Sequence, residues 1–214
     1  MDHIDELVAS WDGRRRIPCL LLLDTSACMA GAAIDQLNDG LVGFREKLLN
    51  VPSLRISADV AIVTFGGTPT LVQDFALPDH LHPPTLSASG DRMLGAAIEQ
   101  GLEILHMQLN FYDRCEFKSS YPRIYLLLGG TPSDDWHQAG RRVQGTAQKF
   151  KFYAAGIGDI DTSIFNTISP TIEYTIIKDT GIEDFLVKMA HEMGYYAASF
   201  LIAELAIRRK KGEI

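Results

Sequence analysis

Residues 17–26 read Ile17-Pro18-Cys19-Leu20-Leu21-Leu22-Leu23-Asp24-Thr25-Ser26. An apolar run this short cannot form a buried helix, and it stops at a polar Asp-Thr-Ser. It therefore predicts a central strand of a parallel sheet, apolar on both faces, with a turn at its carboxyl end. Just downstream, Ile34, Leu37, Leu41, Phe44 and Leu48 recur at three- and four-residue spacing, which predicts a one-sided helix over 32–49. A strand followed by a helix opens an α/β fold.

The alternation continues outward from there. Residues 57–65 predict a second strand, Gly66-Gly67 a turn, and 69–75 a short strand that pairs back as a hairpin at one sheet edge. Beyond a connector holding Pro78, Pro83 and Pro84, the residues Met93, Leu94, Ala97, Ile98, Leu102 and Leu105 mark a helix within 91–109. Strands at 124–128, 152–157 and 172–177 then alternate with a polar helix at 134–150, a short one at 161–168 and a long one at 182–208. Right-handed crossovers put helices on both faces of such a sheet. The expected fold is α/β: a central, mostly parallel sheet with one antiparallel edge strand and about six helices. We assign residues 1–16 to an N-terminal extension and 17–214 to the domain, which closes on its long C-terminal helix.

Composition narrows the function. A chain of 214 residues, 46% hydrophobic and 22% charged, holds one well-buried core and is not a disordered sequence. Its net charge of −7 disfavours nucleic-acid backbones. The basic clusters Arg14-Arg15-Arg16 and Arg208-Arg209-Lys210-Lys211 read as solvated ends. Three cysteines, Cys19, Cys28 and Cys115, form no CxxC pair and no zinc spacing, which argues against a disulfide framework. Asp2, Asp5 and Glu6 stand where a signal peptide would carry positive charge, and no apolar stretch approaches the roughly 20 residues that span a bilayer. The expectation is a cytoplasmic protein.

In doubly wound sheets ligands bind beyond the carboxyl ends of the strands. Three loops fall there: Asp24-Thr25-Ser26-Ala27-Cys28-Met29, Ser89-Gly90-Asp91-Arg92-Met93-Leu94-Gly95, and Leu128-Gly129-Gly130-Thr131-Pro132-Ser133-Asp134-Asp135-Trp136. Together they define a candidate rim of Asp24, Ser26, Cys28, Asp91, Arg92, Gly129, Thr131 and Asp134.

Over about residues 17–190 these loops resemble the metal-ion-dependent adhesion site of von Willebrand factor A domains, and among those the bacterial TerY-like proteins of tellurite-resistance and stress gene clusters. The resemblance rests on Pro83-Pro84-Thr85-Leu86-Ser87-Ala88-Ser89-Gly90 and Pro132-Ser133-Asp134-Asp135-Trp136. It implies a Rossmann-like fold and a protein-binding role in a bacterial stress-response or defence system. A protein kinase or a PP2C-type phosphatase is the partner class it implies. In the family the first loop reads Asp-x-Ser-x-Ser, the second supplies a threonine before Leu-Gly, and the third an aspartate in Asp-Gly-x-Pro-Thr-Asp-Asp-Trp. Here Asp24 and Ser26 keep their places, but the second serine is Cys28, the threonine is Arg92 and the aspartate is Gly129.

A hard cation such as Mg²⁺ wants about six oxygen ligands, and a thiol, a guanidinium and a glycine supply none. The expectation is a metal-independent module in which Arg92 pairs with Asp24. Two readings stand beside it: Arg92 points to solvent, or a shifted Mg²⁺ or Mn²⁺ site survives on Asp24 and Ser26 with help from Asp91. For Asp134 and Asp135 the structural reading is N-capping of the following helix, with Ser133 as its cap.

Catalytic signals are weak. There is no Gly-x-Ser-x-Gly turn, and no histidine falls beside Cys28 in sequence. The second acid of an aspartyl-phosphate motif is Ser26 here. His80 and His82 lie in a proline-rich loop without a third ligand. No Walker loop is present, and Gly156-Ile157-Gly158 lacks the rest of a dinucleotide fingerprint. A non-enzyme is expected. In the last helix Phe185, Leu186, Met189, Met193, Tyr196, Phe200, Ile202, Leu205 and Ile207 make a stripe too wide for one face, so its far end is expected to pack on the domain, on a partner or on a second copy.

Overall fold

The computed structural model describes residues 15–146, 148–169, 172–178 and 181–211. Its strands are β1 (Arg15–Leu23), β2 (Ala58–Thr64), β3 (Thr70–Ala76), β4 (Lys118–Ser119), β5 (Arg123–Leu128), β6 (Lys151–Ile157) and β7 (Glu173–Ile177). Its helices are α1 (Ala32–Asn50), α2 (Pro52–Ser57), α3 (Leu94–Arg114), α4 (His137–Thr146), α5 (Ser163–Ile168) and α6 (Ile182–Lys211). The strands run in the order β3-β2-β1-β5-β6-β7, and β4 pairs with the start of β1. The β2–β3 hairpin is antiparallel and the other pairs are parallel.

The apolar run 17–23 is buried on both faces because β1 lies mid-sheet. Cys19, Leu21 and Leu23 point into one core with residues of α1, α2 and α6, while Leu20 and Leu22 point into the other with residues of α3, α4 and α5. Burial pushes the Cys19 thiol up, as expected for a cysteine packed as a small apolar residue.

Several boundaries differ from expectation for physical reasons. β1 begins at Arg15, so Arg15 and Arg16 belong to a strand rather than to a solvated extension. Arg16 lays its guanidinium over the Phe117 ring, 4.3 Å from the centroid, which lets a basic residue end a strand. Residues 1–14, with Arg14 and the rest of the N-terminal extension, lie outside the described residues. α4 starts at His137 rather than 134 and ends at Thr146 rather than 150. α3 starts at Leu94 rather than 91, because Arg92 forms an isolated bridge with Gly66. On α6, Phe185, Leu186, Met189 and Met193 are buried, but Tyr196 and Ile202 are exposed. The side chains of Phe200, Leu205, Ile207, Arg208, Arg209 and Lys211 lie outside the described residues, and Lys210 is exposed. No described helix is long and apolar enough to cross a membrane.

Candidate functional site

The chain direction reverses its crossovers at β1, with β2 on one side and β5 on the other. Asp24 is the first residue beyond β1 and sits in that cleft. Its N–H extends the β1–β5 ladder by donating to the Leu127 carbonyl (3.0 Å), and the Phe65 N–H extends the β1–β2 ladder by donating to the Leu23 carbonyl (3.1 Å). The backbone thus fixes Asp24 at the topological switch point, fully buried.

A carboxylate there needs partners for both oxygens. Oδ1 accepts the Ser26 N–H at 2.8 Å. Oδ2 accepts the Gly129 N–H at 2.8 Å and Nε of Arg92 at 2.5 Å. Arg92 reaches inward because its own backbone is pinned. Its N–H donates to Oγ of Ser133 (3.2 Å), its carbonyl accepts the Ser133 N–H (2.8 Å), and its Nη1 donates to the Thr131 carbonyl (2.9 Å). The Arg92 side chain is 8% exposed and that of Asp24 0%. This is a charge-assisted pair screened from solvent, and removing one member of such a pair costs about 3–5 kcal/mol.

Room for the guanidinium comes from two glycines. A Cβ at Gly129 would lie 2.7 Å from Sδ of Met29 and 3.2 Å from Oδ2 of Asp24. One at Gly130 would lie 3.0 Å from Nη1 of Arg92. Behind the pair, Oγ of Ser26 and Nη2 of Arg92 are buried without a hydrogen-bond partner.

The other rim residues divide between surface and scaffold. Cys28 is exposed in a 3-10 turn, Ala27–Met29. Asp91 is exposed, and its carbonyl accepts the Gly67 N–H at 2.7 Å. Thr131 is exposed and acts through its carbonyl. Asp134 caps a helix, but a different one from that expected: its carboxylate accepts the N–H of Gly95 (3.1 Å) and of Ala96 (2.9 Å) at the start of α3. Ser133 is spent on Arg92, and it is Asp135 that accepts the His137 N–H (3.1 Å) at the start of α4. Among the described residues no group of three His, Cys, Asp or Glu could hold a metal ion, and His80 and His82 are exposed.

Sequence reasoning missed the residues that knit the loops together. The Gly66 N–H donates to Oγ1 of Thr25 (3.0 Å) and the Ser89 N–H to the Thr25 carbonyl (2.8 Å). A Cβ at Gly66 would lie 2.0 Å from that carbonyl oxygen, so only glycine fits the crossing. The Gly66-Gly67 pair carried the signal, but it reads equally well as a plain hairpin turn.

A second buried carboxylate lies at the other end of the sheet. Asp59, in β2, accepts Tyr112 Oη–H at 2.5 Å and Nε2 of Gln108 at 3.2 Å, both from α3. Burial raises its carboxyl above the usual range, an effect the Tyr112 hydrogen bond and the charge of Arg16 partly oppose.

With this geometry in place, the comparisons with known proteins give one consistent answer about the fold. No protein-family model and no curated protein sequence matches the chain. Among solved structures, the chain superposes on a von Willebrand factor type A protein from Catenulispora acidiphila with a TM-score of 0.62 at 16% identity, over 86% of this chain and 43% of that one. The fold is that of a von Willebrand factor A domain. Proximal thread matrix protein 1 from the mussel byssus, in a structure with a zinc-occupied MIDAS motif, matches with a TM-score of 0.56 at 12% identity, over 82% of this chain and 47% of that one. The von Willebrand domain of the type V pili tip protein Mfa5 from Porphyromonas gingivalis matches at 0.59 and 8% identity, over 85% and 96%. The present chain spans less than half the length of the first two.

Proposed function

We propose that this von Willebrand A fold is a non-catalytic protein-interaction module whose strand-end rim binds a partner without a divalent ion. The observation that carries the proposal is the Arg92 guanidinium bonded to Asp24 in the cleft where a divalent ion would need oxygen ligands. The residues present do not fit a cation. Both Asp24 oxygens are already engaged, Gly129 contributes an N–H and no carboxylate, and Cys28 is an exposed thiol. The resident charge is a guanidinium, which repels a cation. The cleft holds a closed ion pair rather than a nucleophile beside a base, which supports the non-catalytic reading.

The TerY-like resemblance supports a setting in bacterial stress response, tellurite resistance or defence, with a protein kinase or PP2C-type phosphatase as partner. A divalent-dependent adhesion module built on Asp24, Ser26 and Asp91 is the second reading, favoured by the unpartnered Oγ of Ser26. Against it, Asp91 is exposed while Asp24 is fully buried and already bonded to the Arg92 guanidinium.

The test is recovery of partners from an extract of the native host with EDTA throughout. Recovery by the wild-type chain, lost in Ala27→Arg/Thr131→Arg, is expected, since both positions are exposed on the rim. Recovery that needs Mg²⁺ or Mn²⁺ overturns metal independence. Recovery unchanged in the rim variant moves the binding surface elsewhere.

A further inference from the structure

α6 outruns the sheet it covers. Arg123 opens β5 and pairs with Lys151, the first residue of β6, so it marks the amino edge of the sheet. α6 starts beyond the carboxyl end of β7 and has reached that edge by Tyr196, whose ring lies over the Arg123 guanidinium at 4.1 Å. Ala197 is still buried, yet the helix runs on to Lys211. Residues 198–211 are about 21 Å of helix leading away from the edge, at about 1.5 Å per residue. Along it Tyr195, Ala198, Ile202 and Leu205 recur at three- and four-residue spacing, a stripe on another face from the buried Met193 and Ala197. Tyr195 is 76% and Ile202 65% exposed, so among the described residues this stripe has no cover.

The chain enters the sheet at the same edge. β1 begins at Arg15 and runs parallel to β5, with Cys19 opposite Arg123. Residues 1–14 lie outside the described residues, and their sequence carries a matching stripe. Ile4, Leu7, Val8 and Trp11 fall at i, i+3, i+4 and i+7, with Asp2, Asp5, Glu6 and Asp12 off that stripe.

We propose that this N-terminal segment docks as an amphipathic helix on the overhanging part of α6. Charge selects it over a second copy of the overhang. The segment holds four acids against Arg14 and His3, whereas residues 198–211 hold Arg208, Arg209, Lys210 and Lys211 against Glu204. Two overhangs would bring the same excess of bases together, which repels; the segment brings the opposite sign. The segment leads toward the edge and α6 away from it, so the two run antiparallel and Asp2, Asp5 and Glu6 meet the basic end of α6. Acids in a first turn and bases in a last turn also suit the two helix dipoles. A helix this short is marginal alone, so its order depends on the docking.

Trp11 emission in the full chain tests this, with Trp136→Phe to leave Trp11 as the only tryptophan. A docked segment gives a blue-shifted maximum that acrylamide quenches poorly, at every protein concentration. Ile202→Glu should shift the maximum to the red and raise the quenching. Arg208→Glu/Arg209→Glu/Lys210→Glu/Lys211→Glu should do the same at low salt, and adding Asp2→Lys/Asp5→Lys/Glu6→Lys should reverse it. A cooperative unfolding transition in each variant confirms that the domain folds. Emission of Trp11 as in water before any change to α6 overturns the proposal. A buried Trp11 indifferent to Ile202→Glu also overturns it and places the segment elsewhere. Burial that develops only as concentration rises overturns it as well and makes the cover a second copy.

Discussion

Two carboxylates are buried at opposite ends of the same sheet, and they are kept by different means. Asp24, at the carboxyl end of β1, has a cation and two backbone N–H groups. Asp59, in β2 at the amino end, has a phenol and an amide. The first charge is compensated inside the protein. The second is hydrogen-bonded and feels the charge of Arg16, but burial outweighs both and raises its proton affinity. The difference separates an ion pair that fills the strand-end cleft from a clamp that fastens α3 to β2.

The sharpest way to break the comparison is to remove each partner. Arg92→Ala strands a buried carboxylate and should cost about 3–5 kcal/mol in denaturant unfolding, while Asp24→Leu/Arg92→Met together should recover most of that loss. A double variant no better than the single would mean that the two side chains do not act as a pair. Tyr112→Phe should cost less, about 1–2 kcal/mol, because Asp59 keeps Gln108. Equal losses at the two ends would erase the distinction.

The smallest effect is one of pH. The Asp59 carboxyl holds its proton more tightly folded than unfolded, so its contribution to stability is present at low pH and is lost as pH rises through the elevated folded value. Asp59→Asn cannot titrate and should lack that decline. Unfolding midpoints measured from acid to neutrality check this, and parallel profiles for the two proteins would contradict it.

Much of the fold was legible in the sequence because its signals are local. The run Ile17–Leu23 announces a central strand, the spacing from Ile34 to Leu48 a one-sided helix, and Gly66-Gly67 a hairpin. Helix starts were less legible: the loop bonds around the start of α3 at Leu94 join residues about forty positions apart, and by taking up Ser133 and Asp134 they leave Asp135 to cap α4 at His137. The same holds for the site. That Cys28, Arg92 and Gly129 offer no oxygen side chain to a metal can be read from the sequence, but the direction of Arg92 depends on Ser133, Thr131 and the space left by two glycines. Asp134 shows the limit most plainly: a capping residue is easy to recognise, and the helix it caps is set by tertiary structure.

The central claim is that the Arg92–Asp24 pair occupies the cleft in place of a metal ion. Thermal unfolding of chelator-stripped protein with and without millimolar Mg²⁺ or Mn²⁺ tests it most directly. A ligand at about 100 times its dissociation constant stabilises a native state by about 2.7 kcal/mol, or about 5–10 °C for a chain of this size. The account predicts no shift for the wild type. A rise of that size, lost in Asp24→Ala, would contradict it and restore a metal-dependent site.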